Sequence, residues 1–224
     1  PWLQSGSLCQ RLPGGETHLT AWQALTERAG LQPGQKVFIP AGSGGIGSFA
    51  IQLAKHLGAK VGTTTSSGNL AWVSRLGADE VVDYKKQTFE NVLSGYDIVL
   101  GTLRGDSIEK AVKILKPGGK IVSLTGPLDA AFARDRGLNF FLRFIFALMS
   151  RKILRLTRVR GLSYSFLFVR PDGEQLAQIS QLIESGQIGP AIDKVFPFAE
   201  TKEALDYLAR GHAKGKVVVR VSGS

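Results

Sequence analysis

At 224 residues, with 43% hydrophobic, 21% charged and 8% aromatic side chains, the chain has a globular and not a disordered composition, and room for one large domain or two small ones. A single cysteine, Cys9, excludes an internal disulfide framework and a Cys-rich structural zinc site. The formal net charge is +10, and residues 132–170 alone carry nine basic side chains against one acid, Asp135, which would attract nucleic acid, anionic lipid or phosphorylated ligands.

In chain order, residues 19–29 are expected to be helical. A strand at 36–40 then runs through a glycine-rich turn into a helix at 46–57. The pattern repeats as strand 60–65, helix 69–76, strand 80–82, a variable helix around 88–93, strand 96–100, helix 107–115 and strand 119–124. Pro117-Gly118-Gly119 should stop the helix at 107–115 and turn the chain into the next strand. Further on, 174–185 is a helix whose Leu176, Ile179, Leu182 and Ile183 share a face. A helix at about 200–210 and a strand at 216–221 follow. Strands alternating with helices predict an α/β fold: a Rossmann-type, doubly wound, mostly parallel six-stranded sheet with helices on both faces.

Residues 138–160 fit that pattern least. The apolar run 140–149, interrupted by Arg143, is about half the ~20 residues that span a bilayer. A helix covering the active-site cleft or a subunit partner is one reading. Peripheral membrane contact through 140–160, with the basic tail on anionic lipid, is the other. Nucleic acid is not expected, because no recognition motif accompanies the charge.

The strongest local signal for chemistry is Ala41-Gly42-Ser43-Gly44-Gly45-Ile46-Gly47, which satisfies G-x-G-x-x-G through Gly42, Gly44 and Gly47. Glycines there allow a tight turn, close approach of backbone to a pyrophosphate, and helix–strand contact, and the helix N-terminus offers N–H groups to the anion. The motif alone is common; the strand before it, the helix after it and the second strand give it weight. After the second strand stands Thr63-Thr64-Thr65-Ser66-Ser67-Gly68-Asn69, with no carboxylate until Asp79. An NAD binder commonly places an acid there for the ribose 2′-hydroxyl, whereas hydroxyl and amide donors suit a 2′-phosphate, so NADP(H) is the expected cofactor. Other nucleotide folds find no support: there is no P-loop and no Tyr-x-x-x-Lys pair. His18, His56 and His212 are too scattered to suggest a metal site, and none is expected. No nucleophile–base pair can be assigned, and the catalytic residues stay unknown.

Three blocks carry a family resemblance: Leu19-Thr20-Ala21-Trp22, Leu31-Gln32-Pro33-Gly34-Gln35-Lys36-Val37 with the glycine turn, and Leu76-Gly77-Ala78-Asp79-Glu80-Val81-Val82-Asp83-Tyr84. Leu115-Lys116-Pro117-Gly118-Gly119-Lys120 and Gly215-Lys216-Val217-Val218-Val219 add to it. Together they resemble the medium-chain dehydrogenase/reductase superfamily, in its zinc-independent quinone oxidoreductase branch. The resemblance implies that Gly44, Gly45, Ile46 and Gly47, with Gly42 and Ser43 in the same turn, cradle the pyrophosphate. It puts Ser66, Ser67, Asn69 and Tyr84 around the 2′-phosphate. Leu124 and Gly126 would face the nicotinamide ribose. A sixth strand at 164–168 would bring Phe166 and Phe168 near the nicotinamide, and Lys216 near the cofactor.

Thr102 would contact the adenosine, in a run where the family usually has Asp at the position of Gly101 and Gly at that of Arg104. The implied reaction is hydride transfer from NADPH to a quinone or an α,β-unsaturated carbonyl. The implied organisation is an N-terminal remnant and lead-in helix at 1–30, the NADP-binding domain at 31–190 with the basic, apolar helical segment at 132–160, and a segment at 191–224 returning to a substrate domain. The chain is then expected to be a fragment that lacks most of a GroES-like domain and is poorly active alone. A homodimer paired through the edge strand near 164–169 and a cytoplasmic location, with an organelle left open, complete the expectation. The alternatives are a fragment of a zinc-type alcohol dehydrogenase and a non-catalytic nucleotide-binding or membrane-peripheral module.

Overall fold

The computed structural model of the chain describes residues 15–103, 105–128, 132, 134, 137, 139–211 and 213–221. Six strands form the main sheet: β1 (Lys36–Ile39), β2 (Lys60–Thr65), β3 (Glu80–Asp83), β4 (Tyr96–Gly101), β5 (Leu115–Ser123) and β6 (Ser163–Phe166). Their order is β3-β2-β1-β4-β5-β6, and every neighbouring pair is parallel. Parallel neighbours cannot be joined by a hairpin, so each needs a crossover. The crossovers contain α2 (Gly45–His56), α3 (Leu70–Arg75), α4 (Phe89–Val92), α5 (Ser107–Ile114) and α6 (Phe140–Val159). Ahead of the sheet stands α1 (Gly15–Trp22), prolonged by a π-helical turn, Gln23–Arg28; after it comes α7 (Gly173–Glu184). The strand order reverses between β1 and β4, which opens a crevice beyond their C-terminal ends, where open α/β sheets bind ligands.

Alternation along the strands divides the core in two. Val37, Ile39, Ile98, Leu100 and Val122 point into one cluster, with α1, α2 and α7; Phe38, Val99 and Ile121 point into the other, with α4, α5 and α6. A sheet covered on both faces needs apolar residues at odd and even positions alike, and these strands supply them. Tyr96 joins the second cluster although Ile98, two residues on, faces the first; the β4–β5 register shifts between them. The shift comes from β5. Leu115 pairs with Tyr96, the chain bulges through Lys116–Gly119, and Lys120 rejoins opposite Ile98. The Pro117-Gly118-Gly119 turn is therefore a bulge inside a strand rather than the link before one. Gly118 takes φ +80°, and its N–H donates to the Gly161 carbonyl at 3.1 Å.

Two other expectations change. The sixth strand ends at Phe166, leaving Phe168 beyond it and exposed. A further strand, β7 (Ile192–Pro197), pairs in parallel with β8 (Lys216–Arg220) across α8 (Thr201–Ala209), forming a separate two-stranded sheet. Only Phe196 of β7 is buried, so hydrophobic alternation could not announce it. Among the described residues, no helix is long and apolar enough to cross a membrane.

Candidate cofactor site

The turn between β1 and α2 is pinned from several directions. Ala41 N–H donates to the Thr64 hydroxyl at 3.1 Å and Gly42 N–H to the Thr64 carbonyl at 3.0 Å, so the end of β2 holds its start. Thr65 and Ser43 hydroxyls meet at 3.0 Å, Thr102 Oγ1 donates to the Pro40 carbonyl at 3.1 Å, and Gly215 N–H donates to the Ser43 carbonyl at 2.8 Å. Ala41 adopts φ +55°, a conformation that costs a residue with a Cβ of order 1 kcal/mol or more and persists only where its surroundings dictate it. The turn thus has one shape, set by β2, β4 and the lead into β8.

Space in the turn comes from the glycines. A Cβ on Gly42 would stand 2.8 Å from Ile51 Cδ1 and collide with the Thr63 hydroxyl; one on Gly45 would sit 3.2 Å from the Lys216 ammonium. Gly44 caps α2 in extended conformation and offers no side-chain hydrogen bond. The N–H groups of Gly45, Ile46 and Gly47 accordingly have neither an intrahelical acceptor nor a capping side chain, and the helix dipole adds positive potential. An anion fits this arrangement.

Lys216, at the start of β8, reaches this helix end from the second sheet. Its Nζ donates to Thr17 Oγ1 at 2.5 Å, and burial holds the ammonium below its ordinary pKa. A desolvated cation beside an uncapped helix N-terminus strengthens the preference for negative charge.

Beyond β2, Ser66, Ser67 and Asn69 form a 3₁₀ turn in which Asn69 Nδ2 donates to Ser66 Oγ at 3.3 Å. Ser67 is already engaged: its hydroxyl donates to Asp83 Oδ2 at 2.5 Å. That bond, with the Lys85 N–H, holds the Asp83 carboxyl below the usual carboxylate range. The sequence argument that no acid stands near this loop therefore needs correction. β3 pairs Asp83 with Thr65 and delivers a carboxylate from the neighbouring strand. Tyr84 N–H donates to the Thr65 carbonyl at 3.1 Å, and its exposed ring lines an open hollow of about 500 Å³ with Ala41, Thr64, Glu90, Leu103 and Lys110. Glu90 and Lys110, 3.8 Å apart, were not foreseen, and Glu90 Oε2 is buried without a partner among the described residues.

On the other side of the crevice, Leu124 N–H donates to the Gly101 carbonyl at 2.9 Å and Gly126 N–H to Ser123 Oγ at 2.8 Å. A Cβ on Gly126 would lie 2.6 Å from both Ile108 Cδ1 and the Tyr164 hydroxyl. A second hollow, about 470 Å³, opens here between Thr125, Gly126 and Pro127 and the Met149, Lys152 and Ile153 side of α6. Phe166 is buried at the end of β6, while Phe168 is 57% exposed; Phe132 bridges them, with ring centroids at 5.4 Å and 6.2 Å. All the sequence-predicted residues thus lie at the C-terminal ends of the strands or, like Lys216, reach the glycine turn. Phe168 is set apart by its exposure.

A family model described as a zinc-binding dehydrogenase matches residues 76–219. The chain belongs to that family. Among its curated relatives, a mitochondrial NAD(P)H oxidoreductase RTN4IP1 from Danio rerio is 35% identical over 90% of this chain and 54% of its own length. A 2-methylene-furan-3-one reductase from Solanum lycopersicum is 35% identical over 89% of this chain and 44% of its own. The structure of a quinone oxidoreductase from Coxiella burnetii superposes with a TM-score of 0.75 at 28% identity, covering 95% of this chain and 60% of that one. This zinc-binding dehydrogenase relative therefore spans about half the length of the curated proteins it matches, and the medium-chain dehydrogenase/reductase resemblance in its sequence stands. Among the described residues no three His, Cys, Asp or Glu side chains gather as a metal ion would require.

Proposed function

We propose that this chain is the NADP(H)-binding portion of an oxidoreductase that transfers hydride to a quinone or an α,β-unsaturated carbonyl compound. The observation that carries the reading is the N-terminus of α2: uncapped, lined by glycines and faced by the Lys216 ammonium, at the point where the strand order reverses. The names of the relatives, an NAD(P)H oxidoreductase and a furanone reductase, support the reaction class. When bound, the dinucleotide supplies the hydride.

The chain's own groups would do the rest. Gly42, Ser43, Gly44, Gly45, Ile46 and Gly47 shape the cradle for the pyrophosphate, which the backbone N–H groups of Gly45, Ile46 and Gly47 hold, those of Gly42 and Gly44 being spent on the Thr64 and Ala41 carbonyls. Ser66, Asn69 and Tyr84 take the 2′-phosphate, with Ser67 turned toward Asp83. The adenosine fills the hollow beside Tyr84, close to Thr102, while Leu124, Gly126, Phe166 and Phe168 exclude water around the nicotinamide. No acid or base is assigned to the transfer itself. Residues 31–190 form the cofactor domain in this proposal, and 191–224 lead back to a substrate domain. A homodimer would pair through β6, which lies at an edge of the sheet, and the cytoplasm is the proposed location. A zinc alcohol dehydrogenase reading gains nothing from the described residues.

Calorimetric titration of the folded chain with NADPH and NADH tests this. Binding of NADPH at least about tenfold tighter than NADH, a difference of ~1.4 kcal/mol, is expected from the 2′-phosphate contacts. Equal affinities would remove the phosphate assignment, and no binding of either by a folded chain would remove the cofactor site from it.

A further inference from the structure

One face of α6 is an unbroken stripe. Phe140, Phe144, Leu148, Arg151, Arg155 and Arg158 follow at spacings of four and three residues, which places them in line along a helix. The opposite face is where the helix packs: Ser150, Ile153 and Thr157 are buried. The stripe is left outside, with Phe140 80%, Phe144 60% and Leu148 58% exposed. Its two halves differ in chemistry. The first offers two aromatic rings and a leucine; the second offers three guanidinium groups with no ion-pair partner among the described residues. Lys152, one step off the stripe, is by contrast neutralised by Glu109 at 2.6 Å. An open hollow of about 350 Å³ is lined by these three arginines together with Ala147, Leu154 and Val159, so cationic and apolar groups share it.

We propose that this stripe docks the protein on the surface of an anionic lipid bilayer. Phe140, Phe144 and Leu148 enter the boundary between headgroups and acyl chains, and Arg151, Arg155 and Arg158 hold lipid phosphates at the open hollow they line. The charge pattern selects this occupant. Rings segregated at one end and arginines at the other suit a surface that is apolar below and phosphate-rich above. Nucleic acid would call for basic and aromatic groups interleaved along the same groove. From Phe140 to Arg158 the stripe covers 18 helical steps, roughly 27 Å at the helical rise, enough to lie along a membrane. It does not cross one. The inference is independent of the cofactor reading.

The test is flotation of the chain with vesicles of phosphatidylcholine alone and of phosphatidylcholine mixed with phosphatidylserine. Binding to the anionic vesicles only, weakening as salt rises, is expected. The triple change Arg151→Gln, Arg155→Gln, Arg158→Gln should weaken partitioning about 100-fold, at roughly fivefold for each lost charge. Phe140→Ser with Phe144→Ser should lower it independently, leaving a residue that salt abolishes. Far-UV circular dichroism and NADPH titration of each variant report that the fold is intact. If the triple variant does not fold, Arg155→Glu alone carries the test, with a loss of at least fivefold expected. Equal binding to neutral vesicles, no binding to either, or undiminished binding by the arginine variants overturns the proposal. A dimer that Phe140→Ser and Phe144→Ser dissolve, in a chain that ignores vesicles, would overturn it in favour of a second copy as the occupant.

Discussion

At Gly47 a single methyl group would have to share space with backbone. A Cβ there collides with the Ala41 carbonyl oxygen and stands 2.8 Å from Gly42 Cα. Neither neighbour is the free end of a side chain, and Ala41 is already held at positive φ by β2, so the turn cannot yield cheaply. Gly47→Ala should therefore destabilise the chain by about 1–3 kcal/mol and lower NADPH affinity at least tenfold. Gly68→Ala is the control: nothing lies within 4 Å of its Cβ and its φ is not in the left-handed range, so its melting temperature should hold or rise slightly. A Gly47→Ala chain that melts and binds like the original would mean the turn relaxes freely. These glycines were legible in the sequence because a turn is a local object. Asp83 was not: it reaches Ser67 across 16 residues, and only the β2–β3 pairing reveals that an acid overlooks the loop. Lys216 with Thr17 is the same case at a separation of 199 residues.

Between elements, the contact of α1 with α2 hides a titratable group. His18 packs its ring against Phe49, centroids 4.3 Å apart, and its Nδ1 has no hydrogen-bond partner among the described residues. Burial, and then the nearby Lys216 ammonium, push its pKa down to about 4. The unfolded chain would take up a proton near 6.5, where the folded chain does not. The stability that neutral His18 contributes is thus complete above about pH 6.5 and is lost as pH falls toward 4, at most about 3 kcal/mol in all. Carboxylates held below their usual range, such as Glu27 beside Arg170, lose their contribution at lower pH still. Melting temperature should accordingly fall between pH 6.5 and 4.5, and His18→Phe should flatten that limb while keeping the ring contact. An equally steep limb in the variant would assign the effect to another group. The spacing predicts the helix carrying this histidine from 19 onward, whereas among the described residues it already runs from Gly15, with His18, Leu19 and Ala21 buried. β7 escaped altogether. Pairing with β8 makes it a strand, and pairing leaves no mark on hydrophobicity.

Across the whole molecule, stability should be unevenly shared between the two sheets. Val37, Ile39, Ile98 and Leu100 of the central strands are at most 1% exposed, each strand sandwiched between two others and two helical layers. The β7–β8 pair has two strands, one well-buried side chain in β7, and Val195 43% exposed; such a pair is marginal without support. Its ties to the rest at the cofactor site are Gly215 N–H to the Ser43 carbonyl and the Lys216 side chain to Thr17. Amides of Phe196 and Val218 should therefore exchange at least about 100-fold faster than those of Ile39 and Leu100, a difference of ~3 kcal/mol in opening free energy. Saturating NADPH should slow exchange at 215–217 more than at 195–197, because Lys216 gains a phosphate while β7 gains nothing directly. Uniform exchange in the free chain would mean that both sheets open as one unit. Slowing confined to the central sheet on adding cofactor would leave Lys216 a purely structural tether between the sheets.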